Sequence, residues 1–325
     1  MSKDKEIKEE MNSSDYLNKY LEQTDVSASK EESSSSDSPT KEPEKVMIKG
    51  SVDKNYNFIE FTKDILPLSM FYEEGTKILI RKAEIKEIQA FSMVNNQFFY
   101  DVIDKMNSMI ASCVRIKKPN GEITSYLDLK DGDRYFIIFL IRELTFGKSN
   151  QYFRSFACDC GEEVKIEMSK ENFEFFEMNE EIVDFFDEEE KAFVFETVNG
   201  DVFKLAPPNI GIQKSFSDYI MDEIRNKREP NLSFLKIIPF TIVNRNNITE
   251  DGIKKKLKDF QNSDIINEDS FQFLNGAVNK MLFGIRYFKK TCSCGVELKK
   301  EFSLPNKISE LFVEEDGFNK FIKRK

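Results

Sequence analysis

The sequence predicts an α+β fold in which helices gather around a small unit made of two Cys-x-Cys-Gly β-hairpins. Three observations predict it. The turns at residues 158–161 and 292–295 each lie between stretches of alternating polarity, the period of paired strands. Asp133 opens an apolar run that ends at Gly147 and is apolar nearly all round, as a central core helix is. Other stretches repeat apolar residues at helical spacing, so both periods occur along one chain.

Residues 1–46 form a separate region rich in Ser, Glu, Lys and Asp. Such a composition buries too little apolar surface to offset its ordering entropy, so an acidic, Ser-rich disordered tail is expected. Within it Tyr16, Leu17, Tyr20 and Leu21 would share one face of a helix over 15–24, with Asp15 as its cap. That face is a candidate for docking on a partner, beside the plainer reading of residual patterning in a tail.

Residues 47–170 make an N-terminal half. A strand is expected at 77–81 and helices at 83–93 and 97–113, the second lined by Phe98, Val102, Met106 and Ile110. Pro119-Asn120-Gly121 reads as a turn. Asp133 is expected to cap the core helix, and Gly147 to end it. Arg134 and Arg142 lie near one side of that helix. They are expected to lock it by pairing with internal carboxylates such as Asp101 or Asp104, or to hold a partner's carboxylate bidentately. Strands at 151–157 and 163–168 flank the first Cys turn.

Residues 171–208 read as an acidic linker with interspersed Phe, then a hairpin of 192–197 and 201–205 across Asn199-Gly200. Residues 209–312 make a helical C-terminal half, with helices at 210–226, 232–242, 250–260 and 270–282. Pro239 weakens the second of these. Strands at 285–290 and 297–302 flank the second Cys turn, and 313–325 is a short tail. Both Cys turns follow a helix and a Phe-Gly pair, Phe146-Gly147 and Phe283-Gly284, and both place Glu two residues after the Gly, as Glu163 and Glu297. One supersecondary unit is therefore repeated about 134 residues apart.

Composition narrows function. The net charge of −10 opposes general nucleic-acid binding, which needs clustered Lys and Arg. No stretch approaches a membrane span and the N-terminus has no apolar signal core, so a cytosolic setting is expected. Histidine is absent, which removes Ser–His and Cys–His nucleophiles, a His general base and His-ligated catalytic zinc. No phosphate-binding Gly-rich loop is found. The expectation is a protein that is not an enzyme.

Of five cysteines, Cys113 stands alone near a helix end and reads as a small core residue. Cys158, Cys160, Cys292 and Cys294 form two matching pairs. Neighbours with one residue between them do not readily form a disulfide. A structural zinc site takes four ligands in a tetrahedron, and without His the four thiolates are the natural set. Gly161 and Gly295 supply the permissive backbone that lets each turn curl. One zinc per chain would make the hairpins a zinc-ribbon-like unit and clamp the segment between them. Four free thiols, disulfides in an oxidising compartment and an iron–sulfur cluster are the other readings of the same residues.

The order of these features resembles the baseplate hub and hub-assembly proteins of contractile-tailed, T-even-type bacteriophages. Gly132, Asp133 and Arg134 match the family's helix start, and Arg142, Phe146 and Gly147 its Arg-x-x-x-Phe-Gly ending. Cys158, Cys160 and Gly161 match its first Cys turn, and Cys292 with Cys294 the later one. The likeness spans about residues 47–310. The chain departs from it in separating its paired cysteines by one residue where the family usually has two. The resemblance implies a structural or assembly subunit of a phage tail baseplate, in contact with other baseplate and tail proteins. It would work in the host cytoplasm during assembly or in the virion tail. A zinc-ribbon factor associated with nucleic acid is the alternative, since Lys117, Lys118, Lys289, Lys290, Lys299 and Lys300 lie near turns.

Overall fold

The computed structural model describes residues 44–49, 55–147, 152–197, 200–230, 235–242, 250–261, 266–305 and 308–312. The docking face of Tyr16, Leu17, Tyr20 and Leu21 lies outside them. So does the tail assigned to 1–46, apart from its last three positions, which open the first strand. Helix and sheet are mixed, as in an α+β protein.

The chain begins with an antiparallel sheet of β1 (Glu44–Lys49), β2 (Asn55–Thr62), β3 (Lys77–Ile80), β4 (Val114–Lys117) and β5 (Ile123–Ser125), paired in that order. Between β3 and β4 run α1 (Ile85–Ser92) and α2 (Phe99–Cys113). A capping box of Glu84 and Glu87 starts α1. Glu87 also takes both arms of the buried Arg81, at 3.0 and 2.5 Å, so this helix start is tied to the end of β3. On α2, Val102, Met106 and Ile110 are buried as expected. Phe98 is not. The helix begins one residue later, Phe98 has extended backbone at the cap position, and its ring is half exposed. Cys113 is fully buried, and burial pushes its thiol up to about 12.

The core helix is α3 (Arg134–Phe146), with Phe136 to Arg142 all buried. Beyond it, β6 (Phe153–Ala157) and β7 (Glu163–Glu167) make a two-stranded sheet around the first Cys turn. The stretch read as an acidic linker contains β8 (Phe173–Phe175), the short α4 (Glu180–Val183) and β9 (Phe186–Asp187). β9 joins β10 (Ala192–Glu196) and β11 (Val202–Leu205) in a second sheet. Then come α5 (Ile210–Arg225), α6 (Glu250–Gln261) and α7 (Glu268–Lys280). The Asn209 and Asn267 side chains cap α5 and α7, accepting from Ile212 N–H at 2.9 Å and Ser270 N–H at 2.8 Å. Within the stretch expected to be a helix at 232–242, the described residues contain a 3-10 turn at Ile238–Thr241 with Pro239 in its first turn. Proline suits a first turn but cannot continue a helix. No helix among the described residues is long and apolar enough to cross a membrane.

The second Cys turn joins β12 (Ile285–Thr291) and β13 (Glu297–Glu301), and β8 pairs with the far side of β12. Phenylalanines weld this sheet to the core helix. Phe173 of β8 meets Phe139 of α3 at 5.2 Å and Phe288 of β12 at 5.8 Å between ring centres. Phe288 is fully buried, and Phe156 of β6 reaches it at 6.3 Å. Edge-to-face and tilted contacts of this kind add about 0.5–1.5 kcal/mol each to the burial of the rings. The joint packs both Cys hairpins against the same core.

Candidate metal centre

The two Cys turns are built alike. In the first, Cys158 N–H donates to Glu162 O at 2.8 Å and Gly161 N–H to Cys158 O at 2.9 Å. In the second, Cys292 N–H donates to Val296 O at 2.8 Å and Gly295 N–H to Cys292 O at 2.9 Å. Gly161 and Gly295 have φ of 90° and 86°, the left-handed region that a side chain disfavours. A Cβ there would meet nothing within 4 Å, so the requirement is one of backbone conformation, not of space.

The turns face each other. Cys158 Sγ lies 3.8 Å from Cys294 Sγ, and Cys160 Sγ lies 3.7 Å from Cys292 Sγ. All four sulfurs fall within 4.8 Å of one another. A tetrahedron with metal–sulfur bonds of about 2.3 Å has edges of about 3.8 Å, so this set fits a single ion. None of the five cysteines is in a disulfide. Cys158 and Cys292 are buried, while Cys160 and Cys294 face outward. Both of these approaches run between hairpins, so an ion here would join them.

Backbone amides already point at the sulfurs. Val296 N–H is the largest influence on Cys294, whose thiol is held below its ordinary value. Glu162 N–H points at Cys160 and Cys294 N–H at Cys292. Against that amide, burial and neighbouring acceptors push Cys292 up to about 12, while the adjoining cysteine thiols push Cys160 up. Without a cation, four thiols this close share protons; with one, all four become thiolates.

Sequence reasoning missed two residues at this centre. Glu162 reaches across to the second turn, where its carboxylate lies 3.2 Å from Cys292 Sγ and accepts a hydrogen bond from Ser293 Oγ. The signal was present: the two turns differ where Glu162 stands against Val296 and where Ser293 stands against Asp159.

The other residues singled out lie elsewhere and act differently. Asp133 occupies the position before α3, but its carboxylate caps no amide of that helix. Its backbone is already helical, with φ −86° and ψ −9°, whereas a capping side chain needs extended backbone to turn back on the helix. Instead it accepts from Leu68 N–H at 3.0 Å and Tyr72 Oη at 2.8 Å. Complete burial pushes it up to about 7, against the lowering effect of those two donors. Tyr72 Oη also accepts from Lys130 N–H at 2.7 Å, and burial brings the Lys130 ammonium down to about 8.

Arg134 pairs with Asp131, three residues before it, not with Asp101 or Asp104. Asp101 is drawn away, accepting from Asn95 N–H at 2.6 Å. Arg142 donates through Nε to Leu311 O at 2.6 Å and lies over the Phe146 and Tyr152 rings, so it fastens the end of α3 to a segment near the end of the described chain.

No family, no curated protein and no solved structure was found to match this chain.

Proposed function

We propose that the four cysteines hold one structural zinc ion, that the two hairpins form a zinc-ribbon-like unit around it, and that the chain is an assembly or structural subunit of a phage tail baseplate hub. The observation that carries the metal reading is the convergence of four sulfurs within 4.8 Å of one another, two of the separations near the tetrahedral edge length, from turns far apart in sequence. With all four positions taken by cysteine, no site stays open for substrate or water, so the ion is structural. Its mechanical effect is to close the long segment between residues 160 and 292, where loop-closure entropy is large. The baseplate assignment rests on the ordered likeness of residues 132–161 and 292–294 to that family. On this reading the chain works in the host cytoplasm or the virion tail, through protein contacts and without turnover.

The nucleic-acid alternative has less support. Lys299 lies 2.8 Å and Lys289 3.9 Å from Glu174, and Glu297 and Glu301 share their strand face, so the lysines beside the second turn offer no basic stripe.

Native mass spectrometry with elemental analysis tests the metal: one zinc per chain is expected, and a folded chain with no ion sinks the reading. Cross-linking in infected cells tests the assembly role. Tail-baseplate proteins should be the recurrent partners, and their consistent absence would overturn it.

A further inference from the structure

The thiols of the two turns pair by exposure as well as by distance. Cys160 is exposed, and its Sγ lies 3.7 Å from that of the buried Cys292. Cys294 is exposed, and its Sγ lies 3.8 Å from that of the buried Cys158. Each pair joins one hairpin to the other, and each combines an exposed cysteine with a buried one.

The hairpins are also held together by contacts that involve no sulfur. Lys290 Nζ of β12 donates to Lys165 O of β7 at 2.7 Å. Arg154 Nη1 of β6 donates to Ser303 O, just past β13, at 2.7 Å. The same guanidinium lies over Phe156 of its own hairpin at 5.5 Å and Phe288 of the other at 5.8 Å. These contacts keep the turns apposed when no ion lies between them. An oxidised sulfur on one turn therefore meets a thiol of the other at high effective concentration. Pairing within a turn is the poorer choice, because disulfide geometry is restrictive and only one residue separates those cysteines.

We propose that the centre is also a redox site, where a peroxide converts the four thiolates into two disulfides between the hairpins, Cys160–Cys292 and Cys158–Cys294. The thiolate is the nucleophile. Cys160 Sγ attacks the peroxide; an S–O bond forms, the O–O bond breaks and hydroxide leaves, giving a sulfenic acid. Cys292 Sγ then attacks that sulfur; the S–S bond forms, the S–O bond breaks and a second hydroxide leaves. Two thiolates give two electrons to one peroxide. Cys294 and Cys158 react in the same way with a second. The cation loses all four ligands, yet the joint stays closed. Only the release of an ion rests on the zinc reading; the pairing of the sulfurs does not.

The experiment treats the full metal-loaded chain with hydrogen peroxide and follows free zinc with a chelating dye. Remaining thiols are then alkylated and the unreduced tryptic peptides weighed. Peptides 155–165 and 291–299 are expected as one species, lighter by four hydrogens than their sum and separated by dithiothreitol. Cys160→Ser/Cys292→Ser and Cys158→Ser/Cys294→Ser each keep one proposed pair and should each close one disulfide. Cys160→Ser/Cys294→Ser keeps only the two buried cysteines and should lose the fast reaction. Should these variants fail to fold, stepwise reduction and alkylation of the wild-type species assigns the pairs. Four results overturn the proposal: disulfides within each turn, sulfinic or sulfonic acid at Cys160 and Cys294, a disulfide between two chains, or thiols that peroxide leaves intact. The two readings fail separately. Zinc released with no bridge between hairpins keeps the metal and removes the redox site; a bridge formed in a chain that held no ion does the reverse.

Discussion

The cysteine centre and the knot around Asp133 both join distant segments, and they do so by opposite chemistry. The first brings residues 158–160 to 292–294 through four sulfurs. The second brings Leu68 and Tyr72 to Asp133, and Asp131 N–H to Pro208 O at 2.9 Å, through hydrogen bonds within the chain. Four thiolates together are a concentrated negative charge that only a cation can balance. One buried carboxyl can instead keep its proton and be held by neutral donors. The difference teaches that a clip closed by an ion is all-or-none, whereas a clip made of internal hydrogen bonds loosens one bond at a time.

The largest effect that could break this contrast is loss of the proposed ion. Replacing Cys292 and Cys294 with Ser should remove the metal and lower stability by several kcal/mol, within the roughly 10 kcal/mol that structural zinc supplies in small domains. Both hairpins should melt early. A melting curve that stays put after the metal has gone would show that the hairpins are held by their phenylalanines alone.

Next in size is Asp133→Ala, which leaves Leu68 N–H and the Tyr72 hydroxyl buried without an acceptor. At about 1–3 kcal/mol for each orphan, a loss of roughly 2–6 kcal/mol is expected in denaturant titrations, with metal content unchanged. Loss of the proposed zinc in this variant would mean that the two clips are one cooperative unit.

The pH response sharpens the comparison, because the two clips should respond in opposite directions. Asp133 stands at about 7 in the folded chain, above its ordinary 3.8, so the fold favours the protonated carboxyl. The stability this contributes is complete below about pH 4 and is lost as pH rises through about 7. Relative to Asp133→Asn, the wild type should weaken across that window by on the order of 1 kcal/mol per pH unit. Acidification should instead protonate the thiolates and release the ion. A wild-type-minus-variant difference that does not change with pH would remove Asp133 from the account.

The smallest effects concern the turns. Gly161→Ala and Gly295→Ala each force a side chain into left-handed backbone with free space around it, at about 1–2 kcal/mol. The two losses should match in chemical denaturation. Unequal values would show that Glu162 and Val296 load the two turns differently.

Much of the metal centre was legible before any coordinates. A Cys-x-Cys-Gly turn between alternating stretches is local chemistry, and its duplication is visible by inspection. The core helix over residues 134–146 and the burial of Cys113 were legible for the same reason. β8 was not, because Phe173–Phe175 is too short to show a period and is a strand only through its pairing with β12, more than a hundred residues away. The role of Asp133 was misread because a capping pattern looks the same whether the carboxylate turns toward its helix or toward residues 68–72. Arg134 was assigned to a carboxylate one helix away, when Asp131 was closer along its own chain.

Local sequence set the elements whose causes lie within a few residues: the two glycine-hinged Cys turns, the apolar helix that precedes the first of them, and a chemistry without histidine. Tertiary packing chose which turn faces which, where the buried carboxyl finds its donors, and which carboxylate takes Arg134. The reason is physical. Turn and helix geometry follow from backbone sterics and nearest neighbours, while the meeting of residues 158 and 292, or 72 and 133, depends on how every layer between them packs.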